Sequence, residues 1–297
     1  MDAAGSSLVS NAATVRFELA NGITIAADAY GNPADPPVLF LHGGGQTRHA
    51  WGGAAERLGK MGFYAISMDH RGHGESSWDP GGNYYVPAFV EDLLGVIGQL
   101  REKPVLVGAS IGGIAALLAE AESSESVAKG IVLVDVTPRL EKKGVDRIIE
   151  FMKGGAEGFG SLDEVADAVS TYLPHRRRPK DLTGLTKNLR KDEDGRYQWH
   201  WDPKVLQVWD PASYTAEQGE EILRERLAAS ARLSIPTLLV RGRMSDVVTE
   251  EHAREFLAVT PHAEYVDLEG AAHMVAGDKN DVFTDVVSDF IQRHFGS

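Results

Sequence analysis

Apolar and polar positions change rhythm twice along this chain. Residues 14–20 (TVRFELA) and 23–30 (ITIAADAY) alternate apolar with polar, and Asn21-Gly22 separates them. A period of two broken by Asn-Gly predicts an antiparallel β-hairpin. The rhythm then shifts to short, near-continuous apolar runs at 37–41 (PVLFL), 64–68 (YAISM), 105–107 (VLV), 131–134 (IVLV) and 237–240 (TLLV). Such runs mark strands covered on both faces, as in a parallel sheet. Residues 87–100 and 111–121 carry apolar residues at helical spacing between them, and strands alternating with helices imply βαβ units.

The alternation stops near Pro138. Up to about Arg232 the pattern predicts helices at 145–152, 162–173 and 216–229, around an irregular stretch holding Pro174, Pro179, Gly195, Pro203 and Pro211. The sheet pattern resumes at Ile235, with a last strand at 265–268 and a closing amphipathic helix at 282–295. The expected organisation is an α/β core of residues 1–137 and 233–297, with a helical cap of residues 138–232 inserted late in the sheet. Ligands bind outside the carboxyl ends of strands in open α/β sheets, so such a cap would roof the site. Residues 1–11 are mostly small or polar and are expected to form a loose tail.

Composition narrows the chemistry. The 297 residues carry a net charge of −13 and no cysteine. An acidic chain argues against nucleic-acid or anionic-membrane binding, and the missing cysteine excludes disulfides, thiolate metal sites and a Cys nucleophile. The amino-terminal stretch lacks a basic segment followed by an apolar one, as a secretory signal would have. No run approaches the ~20 apolar residues of a membrane span. A cytoplasmic protein is expected.

Gly108-Ala109-Ser110-Ile111-Gly112 matches the G-x-S-x-G nucleophile elbow, a strained strand-to-helix turn whose close approaches need glycine two residues either side of the serine. The apolar run before it and the apolar helix pattern after it are the context the motif demands. Ser110 is the expected nucleophile, and the Ile111 N–H at the helix start would hold an oxyanion. Leu41-His42-Gly43-Gly44-Gly45-Gln46 follows an early strand, where consecutive glycines can aim backbone N–H groups at a ligand. Gly44 is the expected second donor, with Gly45 as the neighbouring candidate. His42 reads as structural.

Of ten histidines, His273 stands on a loop after the last strand, where an imidazole could serve Ser110 as base. The acid that orients it should lie between serine and histidine in chain order. Asp246, on the loop after the 237–240 strand, is preferred. Asp135, at the end of 131–134, competes with it.

These segments, LHGGG (41–45), MDHRGHGES (68–76), VGASIGG (107–113), VRGRMSDVV (240–248) and EGAAHM (269–274), resemble the α/β-hydrolase superfamily, in particular bacterial esterases and cofactor-free haloperoxidase- or perhydrolase-like members. The resemblance implies an α/β-hydrolase fold, mostly parallel and flanked by helices, with a Ser110–His273–Asp246 triad and a cap after the sixth strand. It also implies that Asp69, Arg71 and Gly72 shape a loop. No cofactor and no metal are expected, and His70 and His73 read as structural. The expected reaction is hydrolysis of a small, apolar carboxylic ester, lactone or thioester. Perhydrolysis, C–C cleavage or a lyase reaction on the same scaffold, and ligand binding without catalysis, remain alternatives. Gly45, Trp51, Trp199, Trp201 and Trp209 are candidate substrate contacts, the tryptophans being equally compatible with cap or core packing. The basic run at 175–180 reads as an exposed cap loop.

Overall fold

The computed structural model describes residues 12–155, 157–172, 178, 180–209, 214–273 and 280–296, with backbone only at 208 and 209. Its strands are β1 Ala13–Glu18, β2 Thr24–Tyr30, β3 Pro37–Leu41, β4 Tyr64–Met68, β5 Val105–Ala109, β6 Gly130–Val134, β7 Leu189–Lys191, β8 Tyr197–Trp199, β9 Thr237–Gly242 and β10 Glu264–Leu268. Eight of them form one sheet in the order β1-β2-β4-β3-β5-β6-β9-β10. The pairs β1/β2 and β2/β4 are antiparallel and the rest parallel. The helices are α1 Gly52–Lys60, α2 Val86–Ile97, α3 Ile111–Glu122, α4 Lys142–Lys153, α5 Leu162–Tyr172, α6 Val205–Trp209, α7 Ala216–Arg232, α8 Glu250–Val259 and α9 Thr284–Phe295.

The continuous apolar runs are strands buried on both faces. Leu39, Leu106, Ile131, Leu133 and Leu239 face one core with Phe89 and Leu93 of α2, Ile114 and Leu117 of α3, and Phe256 of α8. Their neighbours Val38, Phe40, Val107, Val132, Val134 and Val240 face a second core with Leu58 of α1 and Val287, Phe290 and Ile291 of α9. Burying both faces removes this apolar surface from water at roughly 25 cal/mol per Å². The helix α1 went unforeseen because GGAAERLGK is glycine-rich and shows few large apolar residues. Residues 250–259 were likewise not read as a helix. There Thr249 supplies a capping box, its hydroxyl accepting from the His252 N–H, which satisfies an otherwise open helix-end donor.

The insertion between β6 and β9 differs from the expected all-helical cap in two ways. It contains a small hairpin, β7 with β8, which three-residue strands of mixed polarity did not reveal. And α7, expected within the cap, packs on α3 and α8 of the core. Its buried residues Ala229 and Ser230 lie at its end, and the Ser230 carbonyl accepts from the Thr260 hydroxyl. The packed cap interior is the cluster of Ile149, Met152, Phe159, Val165, Trp199 and Trp201. Among the described residues no helix is long and apolar enough to cross a membrane. The 1–11 tail and most of the basic run, residues 175–177 and 179, lie outside the described residues.

Candidate active site

Ser110 stands between β5 and α3 at φ 49° and ψ −121°. Ser110 and Asp135 are the two non-glycine residues at positive φ among the described residues, a conformation that costs free energy and persists only where its surroundings enforce it. The enforcement at Ser110 is steric. A Cβ on Gly108 would lie 2.5 Å from the Gly113 nitrogen, and one on Gly112 would lie 2.7 Å from the His42 carbonyl oxygen. The turn therefore closes only with glycine at both places. It leaves Ser110 half-buried at the start of α3, where the first N–H groups lack intrahelical partners.

The 41–46 loop lies directly beside it: a Cβ on Gly43 would approach the Ser110 Cβ to 3.4 Å. The Gly43 carbonyl accepts from the Gln46 N–H at 3.1 Å and from His42 Nδ1 at 2.7 Å. That carbonyl belongs to the same peptide as the Gly44 N–H. Two donors on its oxygen fix the plane and polarise the N–H on the other side. The Gly43 N–H is taken by Gln46 Oε1 at 3.0 Å, and the Gly45 N–H by His73 Nε2 at 3.3 Å. Gly45 is thus unsuited as an oxyanion donor, while no partner for the Gly44 N–H is found among the described residues. The amides of Gln46 and Asn280 pair reciprocally at 3.3 and 3.4 Å, tying this loop to the chain beyond His273.

His273 is buried, and its Nδ1 lies 2.6 Å from Asp135 Oδ2. Asp135 makes three further hydrogen bonds with the β9 side: its Oδ1 accepts the Gly242 N–H at 3.0 Å and its Oδ2 the Ser245 hydroxyl at 2.8 Å, while its own N–H donates to the Val240 carbonyl at 2.7 Å. A buried carboxylate with this many donors is held as an acceptor for imidazole N–H. The Ser110 N–H donates to the carbonyl of Val134, the residue before Asp135. Ser110 and Asp135 are thus adjacent at the ends of paired strands. Asp246, the acid preferred from sequence, is elsewhere. Its carboxylate pairs with Arg147 of α4 and its side chain is 36% exposed, and α4 packs so tightly on its backbone that a Cβ on Gly144 would lie 2.1 Å from its carbonyl oxygen. Asp135 rather than Asp246 stands on His273.

The candidate substrate contacts separate. Trp51 is fully buried beneath the sheet, packed on Phe40 with ring centroids 5.3 Å apart, and its indole N–H donates to the Leu41 carbonyl at 3.1 Å. It packs against the end of β3. Trp201 stacks on Trp199 at 4.9 Å and 13°. Its Cζ3 and the Met152 Cε would each be 3.3 Å from a Cβ on Gly45, so these two side chains roof the glycine loop. Trp199 lies behind them in the cap core, edge-on to Phe159. The side chain of Trp209 lies outside the described residues.

The 68–76 segment is tied together by buried polar contacts. Asp69 is buried and accepts from the Arg48 backbone and guanidinium and from the Glu75 N–H. Arg71 forms a paired contact with Asp92, both bonds at 2.6 Å. His70 and His73 belong to a packed group with His42 and His200, neighbouring ring centroids lying 4.5–6.5 Å apart. Burial, with the neighbouring imidazoles adding to it, pushes His70 down to about 3 and holds His42 well below the ordinary range; burial takes His73 to about 4 and His200 well below that range. Each ring has a nitrogen engaged with a backbone group, and no cluster of metal-ligating residues occurs among the described residues. The role of His200 was invisible in sequence, where it read as one aromatic-rich stretch with Trp199 and Trp201.

Comparison with known proteins identifies the family of this chain. Residues 38–286 match the model of the Alpha/beta hydrolase family. Over 275 residues the chain is 29% identical to esterase Rv0045c of Mycobacterium tuberculosis, covering 89% of this chain and 85% of that protein. It is 27% identical to the sn-1-specific diacylglycerol lipase ABHD11 of Mus musculus, covering 88% and 82%. The crystal structure of an E-2-(acetamidomethylene)succinate hydrolase superposes with a TM-score of 0.79 at 22% identity, over 95% of this chain and 100% of that one. With its elbow serine, its glycine loop and a family match spanning most of its length, this chain belongs to the Alpha/beta hydrolase family.

Proposed function

We propose that the protein hydrolyses a carboxylic ester, or the related lactone or thioester, through an acyl-enzyme on Ser110. The Ser110 hydroxyl attacks the carbonyl carbon while His273 takes its proton. Asp135 holds the Nδ1–H tautomer and stabilises the imidazolium. The N–H groups of Gly44 and Ile111 receive the negative oxygen, in a site where preorganised donors contribute most to the rate. As the intermediate collapses, His273 returns the proton to the departing alkoxide. Water, deprotonated by His273, then attacks the acyl carbon, and His273 returns that proton to the Ser110 oxygen as the acyl bond breaks and the acid is released. Met152 and Trp201 over the glycine loop favour an apolar acyl or alcohol group, as do the esterase and lipase relatives.

The observation that carries this reading is the 2.6 Å contact of His273 with Asp135, on the rim that also holds the elbow serine. The test is hydrolysis of p-nitrophenyl esters of rising acyl length by the wild type and Ser110→Ala. Serine-dependent turnover is the expected result, and the best chain length sizes the pocket. Turnover undiminished in Ser110→Ala would overturn it.

A further inference from the structure

We propose that His200, contributed by the cap, is a positioning residue for the oxyanion loop: with His73 it clamps the peptides on either side of Gly45 and thereby keeps the Gly44 N–H aimed at the reacting carbonyl. The inference rests on the hydrolase reading above and assigns the cap a part in the chemistry beyond covering the site.

The clamp has two jaws. The Gly45 N–H donates to His73 Nε2 at 3.3 Å, and the Gly45 carbonyl faces His200 Nε2 at 3.4 Å. The tautomers follow from the other nitrogen of each ring. His73 Nδ1 meets the Arg71 carbonyl at 3.1 Å and must carry the proton, leaving Nε2 bare to accept. His200 Nδ1 accepts the Gly74 N–H at 2.7 Å and must be bare, so its Nε2 carries the proton toward Gly45. Both rings are buried.

Gly45 needs such a clamp. It sits at φ +72°, and a glycine has no side chain to restrict its torsions. The peptide before it carries the Gly44 carbonyl, so motion about Gly45 passes directly to the donor residue. Gln46 and His42 fix the Gly43–Gly44 peptide from the core side, and His73 holds the Gly44–Gly45 peptide through the Gly45 N–H. His200 fixes the following one from the cap side. The cap segment is itself fastened to the core next door, where the Asp202 N–H donates to the Gly72 carbonyl at 2.8 Å and Asp202 Oδ2 accepts the Tyr84 hydroxyl at 2.6 Å. The His200 ring is thus held at a fixed distance from the loop.

Two substitutions separate the jaw from the anchor. In His200→Gln the side-chain amide reaches the Nε2 position and can still donate to Gly45, while the Gly74 contact is lost. In His200→Asn the shorter amide reaches the Nδ1 position and keeps the Gly74 anchor, while the contact with Gly45 is lost. The readouts are kcat and KM on p-nitrophenyl butyrate, and the second-order rate of Ser110 labelling by an alkyl fluorophosphonate. In that labelling the serine oxygen bonds to phosphorus, fluoride leaves, the proton passes to His273, and the phosphoryl oxygen occupies the oxyanion site. The expected result is a loss of about 10- to 100-fold in kcat and in labelling rate for His200→Asn, at unchanged KM, since misaimed donors cost the transition state selectively. His200→Gln recovers most of it. Equal rates in all three proteins, a loss confined to KM, or His200→Gln as slow as His200→Asn would overturn the clamp while leaving the serine mechanism intact. Failure of the wild type to label at Ser110 would overturn both. Circular dichroism and thermal melting of each variant separate these outcomes from misfolding.

Discussion

His273 and Asp135 meet at 2.6 Å although 138 residues separate them in the chain. Each follows a strand of the same sheet, β10 and β6, with β9 lying between the two. The contact spans β9 because the 241–246 turn bends back under it: Gly242 and Ser245 both donate to the Asp135 carboxylate. The loop that carries Asp246 thus serves as the scaffold for Asp135, and Asp246 itself points outward to Arg147.

The two aspartates should therefore respond differently to substitution. Asp135→Asn is expected to lower kcat by about three to four orders of magnitude, because an amide cannot hold the required imidazole tautomer. It also turns an amide donor toward the Gly242 or Ser245 donors, a mismatch of about 1–3 kcal/mol in stability. Asp246→Asn removes a half-exposed ion pair, worth about 0–1 kcal/mol, and should leave kcat within about threefold, the ordinary scatter of a neutral surface change. Steady-state kinetics on a p-nitrophenyl ester compares them directly; the reverse ranking would restore Asp246 as the acid.

Trp51→Phe tests a core assignment against a binding one. The substitution deletes the indole N–H bonded to the Leu41 carbonyl and leaves a void beneath the sheet. A loss of about 1–3 kcal/mol in chemical denaturation is expected, with KM unchanged for the folded enzyme. A rise in KM at unchanged stability would return Trp51 to the substrate pocket.

At the elbow, Gly108→Ala forces a methyl to within 2.5 Å of the Gly113 nitrogen, and backbone on the opposing side cannot yield as a flexible side chain would. We expect a destabilisation of about 3 kcal/mol or more together with loss of activity, seen as a lowered melting temperature. Gly184→Ala, where nothing lies within 4 Å of the added carbon, is the matched control.

Acid should unfold this protein early. The folded pKa values of His42, His70, His73 and His200 lie below the unfolded imidazole value. Their contribution is therefore complete above about pH 6.5. As pH falls, the unfolded chain takes up protons that the folded chain refuses. Each histidine then removes about 1.4 kcal/mol per pH unit until its folded value is reached, near 4 for His73 and 3 for His70. Asp202 beside His73 opposes the shift; His49 and Arg190 near His200 reinforce it. Urea denaturation at pH 7, 6 and 5 measures the slope. A midpoint flat from pH 7 to 5 would contradict the neutral cluster.

The elements that sequence made legible are those with local causes. Continuous apolar runs placed β3 to β6 and β9, since a strand buried on both faces has no polar side to show. The spacing of Gly108, Ser110 and Gly112 announced the elbow, although only the Gly108 collision, with the Gly113 nitrogen, lies within the turn; Gly112 collides with the His42 carbonyl of the neighbouring strand end. His273 was marked by its place after the last strand. The hairpin of β7 and β8 was not legible because its strands are three residues long and of mixed polarity, and the docking of α7 on the core was not because its partners lie far away in the chain.

What the sequence determined alone was a set of strand ends, each furnished with a chemically competent residue: Ser110, Asp135, Asp246 and His273. Choosing between the two aspartates needed the tertiary structure. Both are short carboxylates one loop beyond an apolar strand, and local pattern treats them alike. The decision lies in which backbone N–H and hydroxyl groups converge on which carboxylate, and that is set by strand order and register across the whole sheet. The same holds for His200, whose bond to Gly45 joins residues 155 apart: an imidazole acquires its role from the two groups that flank it, and only the fold brings them there.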